Sequence, residues 1–289
     1  MTYSSEFSSV NGTRIHYLRW RSAGRPVVIL HGNSHCGGVY APLGEQLAGD
    51  FSVVAVDLRG HGLSEKPDAY AWSLLRDDVV GLIDSLDLRD VLLVGHSRGG
   101  GVSLLTAAAG TGRVSGVLVY EPTVPLGMGP LSRGTGVRPA DLTSRLVGRA
   151  LERRSTFPDR EAMYLHFRDR GAFKGWRDDF LRAYVTHGAV EAEGGGVELA
   201  CPPRVEALLY EAMFDVTEWT KIDRCEVPVL AVYGERGGRV GEGRDPTAPI
   251  RAMFPRTETL VLPDCTHSGP MEHPELMEEA IRQFAARTS

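Results

Sequence analysis

Short apolar runs rich in β-branched residues recur along the chain: RIHYLRW, PVVILHG, SVVAVDL, VLLVGHS, VSGVLVYEP, PVLAVYGE and TETLVLPD. Each ends in or just before Gly, Asp, Pro or Glu, or at an aromatic residue, and reads as a strand. Between most of them lie amphipathic segments such as LLRDDVVGLIDSLDL and PELMEEAIRQFAARTS, which read as helices. Strands alternating with helices predict a mostly parallel sheet covered on both faces. The strands are almost continuously apolar rather than alternating, as two-sided burial requires. A first hairpin near residues 6–20, with NGT as its turn, is expected to be antiparallel.

The rhythm breaks between about residues 125 and 215. That stretch shows no strong strand and reads as helices: RPADLTSRLVGRALERR, DREAMYLHFRD, WRDDFLRAYVTHG and PPRVEALLYEAM. The expected organisation is therefore a core of residues 1–124 and 216–289, with 125–215 inserted as a helical cap. Residues 133–182 carry 12 Lys/Arg against 7 Asp/Glu. Solvated helix faces account for that excess most simply; attraction of an anionic substrate is the alternative. Met128, Phe157, Met163, Tyr164, Phe167, Phe173 and Trp176 could line a pocket. A helical insertion needs apolar contacts of its own, so they are assigned first to its core.

Composition narrows the class. The chain has 289 residues, 42% hydrophobic and 24% charged, the values of an ordinary globular protein able to bury a core without covalent staples. A net charge of −5 gives no reason to expect nucleic acid or an anionic membrane as a partner, and leaves a small molecule. The N-terminus lacks a basic segment followed by an apolar one, so no signal peptide is expected. No apolar run approaches the ~20 residues that span a bilayer. The four cysteines, Cys36, Cys201, Cys225 and Cys265, show no CxxC spacing, so neither a disulfide framework nor a zinc site is expected. The simplest expectation is a cytoplasmic protein with reduced thiols.

The candidate chemistry starts at Gly95-His96-Ser97-Arg98-Gly99. This G-x-S-x-G ends the strand VLLV and opens the helix GGGVSLLTAAAG, the setting in which the motif is informative. A sharp turn there lifts the serine hydroxyl above the sheet edge, and the free N–H groups of the helix start favour negative charge beside it. Serine needs a base. Among nine histidines, His267 is best placed, after the last strand and before the final helix, where parallel sheets gather their chemistry. His273 sits at a helix start and is expected to cap. His96 is expected to point away from the serine, while His31 and His61 shape loops. No pair of histidines has metal-site spacing, and neither metal nor cofactor is expected. An oxyanion hole would use the amide of Asn33, after the strand PVVIL, and that of Arg98, directly after the serine.

HGNSHCGGVYAPL, VVAVDLRGHGLSEKP, VGHSRGGGVSL and DCTHSGPMEHPE resemble the α/β-hydrolase superfamily, in its order and over nearly the whole chain outside the cap. The resemblance implies the α/β-hydrolase fold: an eight-stranded, mostly parallel sheet with helices on both faces, a cap after the sixth strand and a Ser–acid–His triad. Haloalkane dehalogenases and epoxide hydrolases of the superfamily carry aspartate where this chain has Ser97, which argues against both activities. The family commonly places the acid three residues after the glycine ending the seventh strand. Here that position is Gly237. Asp245 lies further along the same loop, and Glu121 ends the sixth strand, where some lactone hydrolases carry the acid. Asp245-Pro246 reads equally well as a helix cap. An unpaired carboxylate between apolar VLVY and Pro122 would be costly to bury, so Glu121 is the favoured acid. The expected function is a serine hydrolase of small or medium esters or lactones. The alternatives are a C–C bond hydrolase, perhydrolase or lyase on the same triad, or a non-catalytic small-molecule receptor.

Overall fold

The computed structural model describes residues 2–125, 139–240 and 245–288. Strands β1 (Ser4–Val10) and β2 (Thr13–Trp20) form the antiparallel hairpin. Asn11 and Gly12 between them both take positive φ, 48° and 70°, as a two-residue turn matched to strand twist demands. The remaining core strands are β3 (Arg25–Leu30), β4 (Phe51–Val56), β5 (Val91–His96), β6 (Val114–Tyr120), β10 (Val229–Gly234) and β11 (Thr257–Leu262). The sheet runs β1-β2-β4-β3-β5-β6-β10-β11 and is parallel from β4 to β11.

Strand side chains alternate between two cores. Val27, Ile29, Leu92, Val94, Leu118 and Tyr120 pack on one face. Helices α1 (Ala41–Leu47) and α10 (Pro274–Arg287) cover that face, the second through Met277, Ile281 and Phe284, a helical stripe. Val28, Leu30, Leu93, Val117 and Val119 point the other way. There they meet α2 (Trp72–Ser85), α3 (Arg98–Ala108) and α8 (Ala248–Met253).

The segment between β6 and β10 forms α4 (Pro139–Leu151), α5 (Arg160–Phe167), α6 (Asp178–His187) and α7 (Pro203–Glu211). It also holds what a purely helical reading leaves out: an antiparallel three-stranded sheet in the order β7-β9-β8. Its strands are β7 (Thr156–Phe157), β8 (Ala189–Glu191) and β9 (Val197–Leu199). Strands of two or three residues contain too little alternation to register as a pattern. The turn between β8 and β9 uses Gly195 and Gly196 at φ 89° and 78°, a conformation other residues resist. Phe157, Met163, Tyr164, Phe167, Phe173 and Trp176 are all buried in one aromatic-rich core; Met128 lies outside the described residues. All four cysteines are free thiols. Among the described residues, no helix is long and apolar enough to cross a membrane.

Candidate active site

Strand β5 ends at His96 and α3 begins at Arg98, with Ser97 between them at φ 52° and ψ −115°. That left-handed conformation costs a non-glycine residue roughly 1–3 kcal/mol. Surrounding bonds enforce it. Ser97 N donates to Tyr120 O at 2.9 Å, and Ser97 O accepts from Thr123 N at 2.9 Å. Helix α3 can start so close to the sheet because Gly99 has no side chain: a Cβ there would meet Leu30 O at 2.1 Å.

Ser97 lines a cavity of about 460 Å³ together with Asn33, Arg98 and His267. The loop after β3 passes directly over the serine; a Cβ on Gly32 would lie 3.3 Å from Ser97 Cβ. His267 occupies the loop between β11 and α9 (Gly269–Glu272). Thr266 fixes that loop by donating from N and Oγ1 to Glu272, at 2.9 and 2.6 Å, while Tyr120 donates to Thr266 O at 2.5 Å.

Glu121 follows β6 directly, fully buried, with φ 42°. Its Oε2 accepts from His267 Nδ1 at 2.8 Å, and its Oε1 accepts from Gly234 N at 3.2 Å. Arg239 Nε lies 3.2 Å from Oε2. A carboxylate so surrounded by donors acts as acceptor, which puts the proton of His267 on Nδ1 and leaves Nε2 its lone pair. Gly237 makes the room: a Cβ there would lie 1.8 Å from Glu121 Oε1. Asp245 is elsewhere engaged, accepting from Thr247 N at 2.9 Å and from Arg251 Nη1 at 2.8 Å.

His96 turns toward the histidine loop. Its ring lies 4.9 Å from that of His267, and its Nε2 is 2.9 Å from His267 O. The backbone carbonyl of the histidine loop, not the serine, sets its orientation. Asp245 does not cap α8; Thr247 holds that position, and Pro249 rather than Pro246 enters the first turn. His273 occupies the position before α10 without a capping side-chain bond, its Nδ1 3.5 Å from Glu275 Oε1 instead. His31 and His61 do shape loops. His31 Nε2 accepts from Leu58 N at 3.0 Å, and His61 Nε2 from Ser34 N at 3.2 Å.

Burial holds the His31, His61 and His96 imidazoles below the ordinary histidine range, the last two well below it. The unfolded chain therefore binds protons first as pH falls. Stability is full above the unfolded pKa of roughly 6.5 and declines as pH drops toward the folded values, by up to about 1.4 kcal/mol per unit for each group. Thermal melts should show Tm several degrees lower at pH 5.5 than at pH 7.5, of order 10 °C if all three contribute. An unchanged Tm over that range would contradict neutral burial.

Residues 27–280 match the family described as Alpha/beta hydrolase family. The chain belongs to the alpha/beta hydrolase family. A non-heme chloroperoxidase, CPO-A1, of Kitasatospora aureofaciens is 32% identical to it over 228 residues, 78% of each chain. The 2-(acetamidomethylene)succinate hydrolase of Mesorhizobium japonicum is 27% identical over 275 residues, covering 92% of this chain and 90% of that one. A crystal structure of E-2-(acetamidomethylene)succinate hydrolase superposes with a TM-score of 0.81 at 24% identity, over 99% of this chain and 100% of the other. This alpha/beta hydrolase is thus a hydrolase enzyme with the eight-stranded family fold.

Two features of the candidate site escaped the sequence. Arg239 reaches Glu121 from the loop after β10, and its charge had no signal in an irregular Gly- and Arg-rich stretch. The side chain of Arg98, as distinct from its amide, is buried at the cavity. An arginine directly after the motif serine, where the helix must turn inward, was the available sign. Among the described residues, no group of three or more His, Cys, Asp or Glu side chains is arranged to hold a metal ion.

Proposed function

We propose that this hydrolase cleaves small or medium esters or lactones through an acyl-enzyme on Ser97. His267 Nε2 takes the proton of Ser97 Oγ as the hydroxyl attacks the carbonyl carbon. The tetrahedral oxyanion is held by the amides of Asn33 and Arg98. His267 then gives the proton to the leaving oxygen, and water repeats the sequence in reverse order of partners. Glu121 keeps the imidazole in the required tautomer and stabilises the imidazolium. The reaction needs no cofactor. Residues 125–215 act as the cap that selects the acyl group; Phe173, Leu142 and Leu146 of this segment line the cavity.

The observation that carries this reading is the 2.8 Å contact between His267 Nδ1 and the fully buried Glu121 carboxylate, opening on the cavity that holds Ser97. The test is a panel of aryl esters and lactones. The Mesorhizobium relative is named for a substituted succinate, so acyl groups bearing carboxylates belong in the panel beside neutral ones. The folded native protein should turn over members of this panel. No turnover of any would favour a receptor or a different bond.

The space at Gly237 supplies a sharper test. Gly237→Ala should displace the Glu121 carboxylate from His267 and lower kcat by at least about 10-fold, since misplacement of order 1 Å at a catalytic group can cost 10²-fold. Steady-state kinetics on the best ester decide it; wild-type kcat in a folded variant would remove Glu121 from the mechanism.

A further inference from the structure

The cavity around Ser97 contains a cation without an anion. Three arginines line it: Arg98, Arg153 and Arg239. Arg153 is paired with Glu206 at 2.9 Å, and Arg239 with Glu121 at 3.2 Å. Arg98 is 1% exposed and has no carboxylate partner among the described residues. Its Nη2 donates to Leu209 O, and its guanidinium lies 4.9 Å above the Trp72 ring. Its Nε and Nη1 are buried with no acceptor among the described residues.

This fold handles a structural buried arginine differently. Arg59, 4% exposed, is held by both oxygens of Asp78 at 2.7 and 2.8 Å. Leaving Arg98 uncompensated is costly, since a buried charge needs both a counter-charge and filled hydrogen bonds. Desolvation lowers its pKa to about 10, which still leaves it charged at neutral pH. Packing against Trp72 offsets part of that cost but satisfies neither free nitrogen. These unfilled donors belong to a residue that lines the same cavity as the serine.

We propose that the substrate brings the missing anion. It is a carboxylate-bearing ester or lactone whose carboxylate is received by the Arg98 guanidinium, with its acyl carbon at Ser97. This rests on the hydrolase reading of Ser97 and adds the substrate class and the residue that selects it.

The test compares nitrophenyl monoesters of succinic, glutaric and adipic acid with neutral esters of equal acyl length. Wild type should prefer at least one acid over its neutral partner by about 10- to 100-fold in kcat/KM, the worth of one charge-assisted hydrogen bond. Arg98→Gln should bring that ratio close to one, and Arg98→Lys should recover part of it. A ratio at or below one in wild type for all three lengths, or a preference that persists in Arg98→Gln, overturns the proposal. A second measurement needs neither turnover nor a variant. Succinate, glutarate or adipate should raise the Tm of wild type, and the corresponding diamides should not. If no ester is cleaved but a diacid alone stabilises the protein, the carboxylate site stands and the hydrolase reading of Ser97 falls. Equal effects of diacids and diamides, or none from either, sink the carboxylate site itself.

Discussion

Ser97→Ala should lower kcat on the best ester by about 10⁴- to 10⁶-fold, the scale seen when a serine nucleophile is removed from a coupled catalytic unit. The size follows from roles that act together. His267 then has no hydroxyl to activate, and the amides of Asn33 and Arg98 have no tetrahedral oxyanion to receive. Stability should change in the opposite sense or very little. Ser97 is held at φ 52°, and alanine in its place keeps the same strained backbone while removing only a hydroxyl at the cavity wall. A variant that melts like wild type yet retains a tenth of its kcat would show that another group makes the bond.

Glu121→Gln should lower kcat by as much as ~10⁴-fold, by analogy with the aspartate-to-asparagine change in a serine protease triad. Glutamine keeps the shape but removes the charge that balances the imidazolium. It can also turn its NH₂ toward Nδ1, which fixes the wrong tautomer. Arg239, now 3.2 Å from Oε2, would lose its counter-charge at the same time, so the loss should exceed that of removing one neutral hydrogen bond. Asp245→Asn should stay within about a factor of ten in kcat. Its carboxylate serves Thr247 and Arg251 on an exposed turn, where removing a local helix-end bond costs only ~1 kcal/mol of stability. The reverse pattern, with Asp245→Asn crippled and Glu121→Gln active, would move the acid to the loop after β10.

The two acids show how far a sequence can be read here. Glu121 stood out because a carboxylate at the end of VLVY must be paired to be tolerated. Gly237 stood out because the family's usual acid is missing there. The clash between a Cβ at 237 and Glu121 Oε1 shows that these two oddities are one arrangement seen from two loops. The core strands were legible for a similar reason: short, nearly continuous apolar runs bounded by turn residues leave few alternatives. The β7-β9-β8 sheet was not legible, because strands of two or three residues carry almost no period and depend on Gly195 and Gly196 for their turn. The partner of His96 was not legible, because its orientation depends on His267 O, 171 residues away in sequence, a tertiary contact with no local trace. The Arg98 side chain was overlooked for the opposite reason. Its amide already had a role, and only the packed structure reveals that its guanidinium is buried and, among the described residues, without a carboxylate partner.

The central claim is that Ser97 makes and breaks the covalent bond to the acyl group. The most direct measurement is fluorophosphonate labelling of the native protein, followed by digestion and mass spectrometry to locate the adduct. The account predicts one adduct, on the peptide containing Ser97, absent from Ser97→Ala and formed much more slowly in Glu121→Gln. An adduct on any other residue, or labelling that persists unchanged in Ser97→Ala, would contradict it.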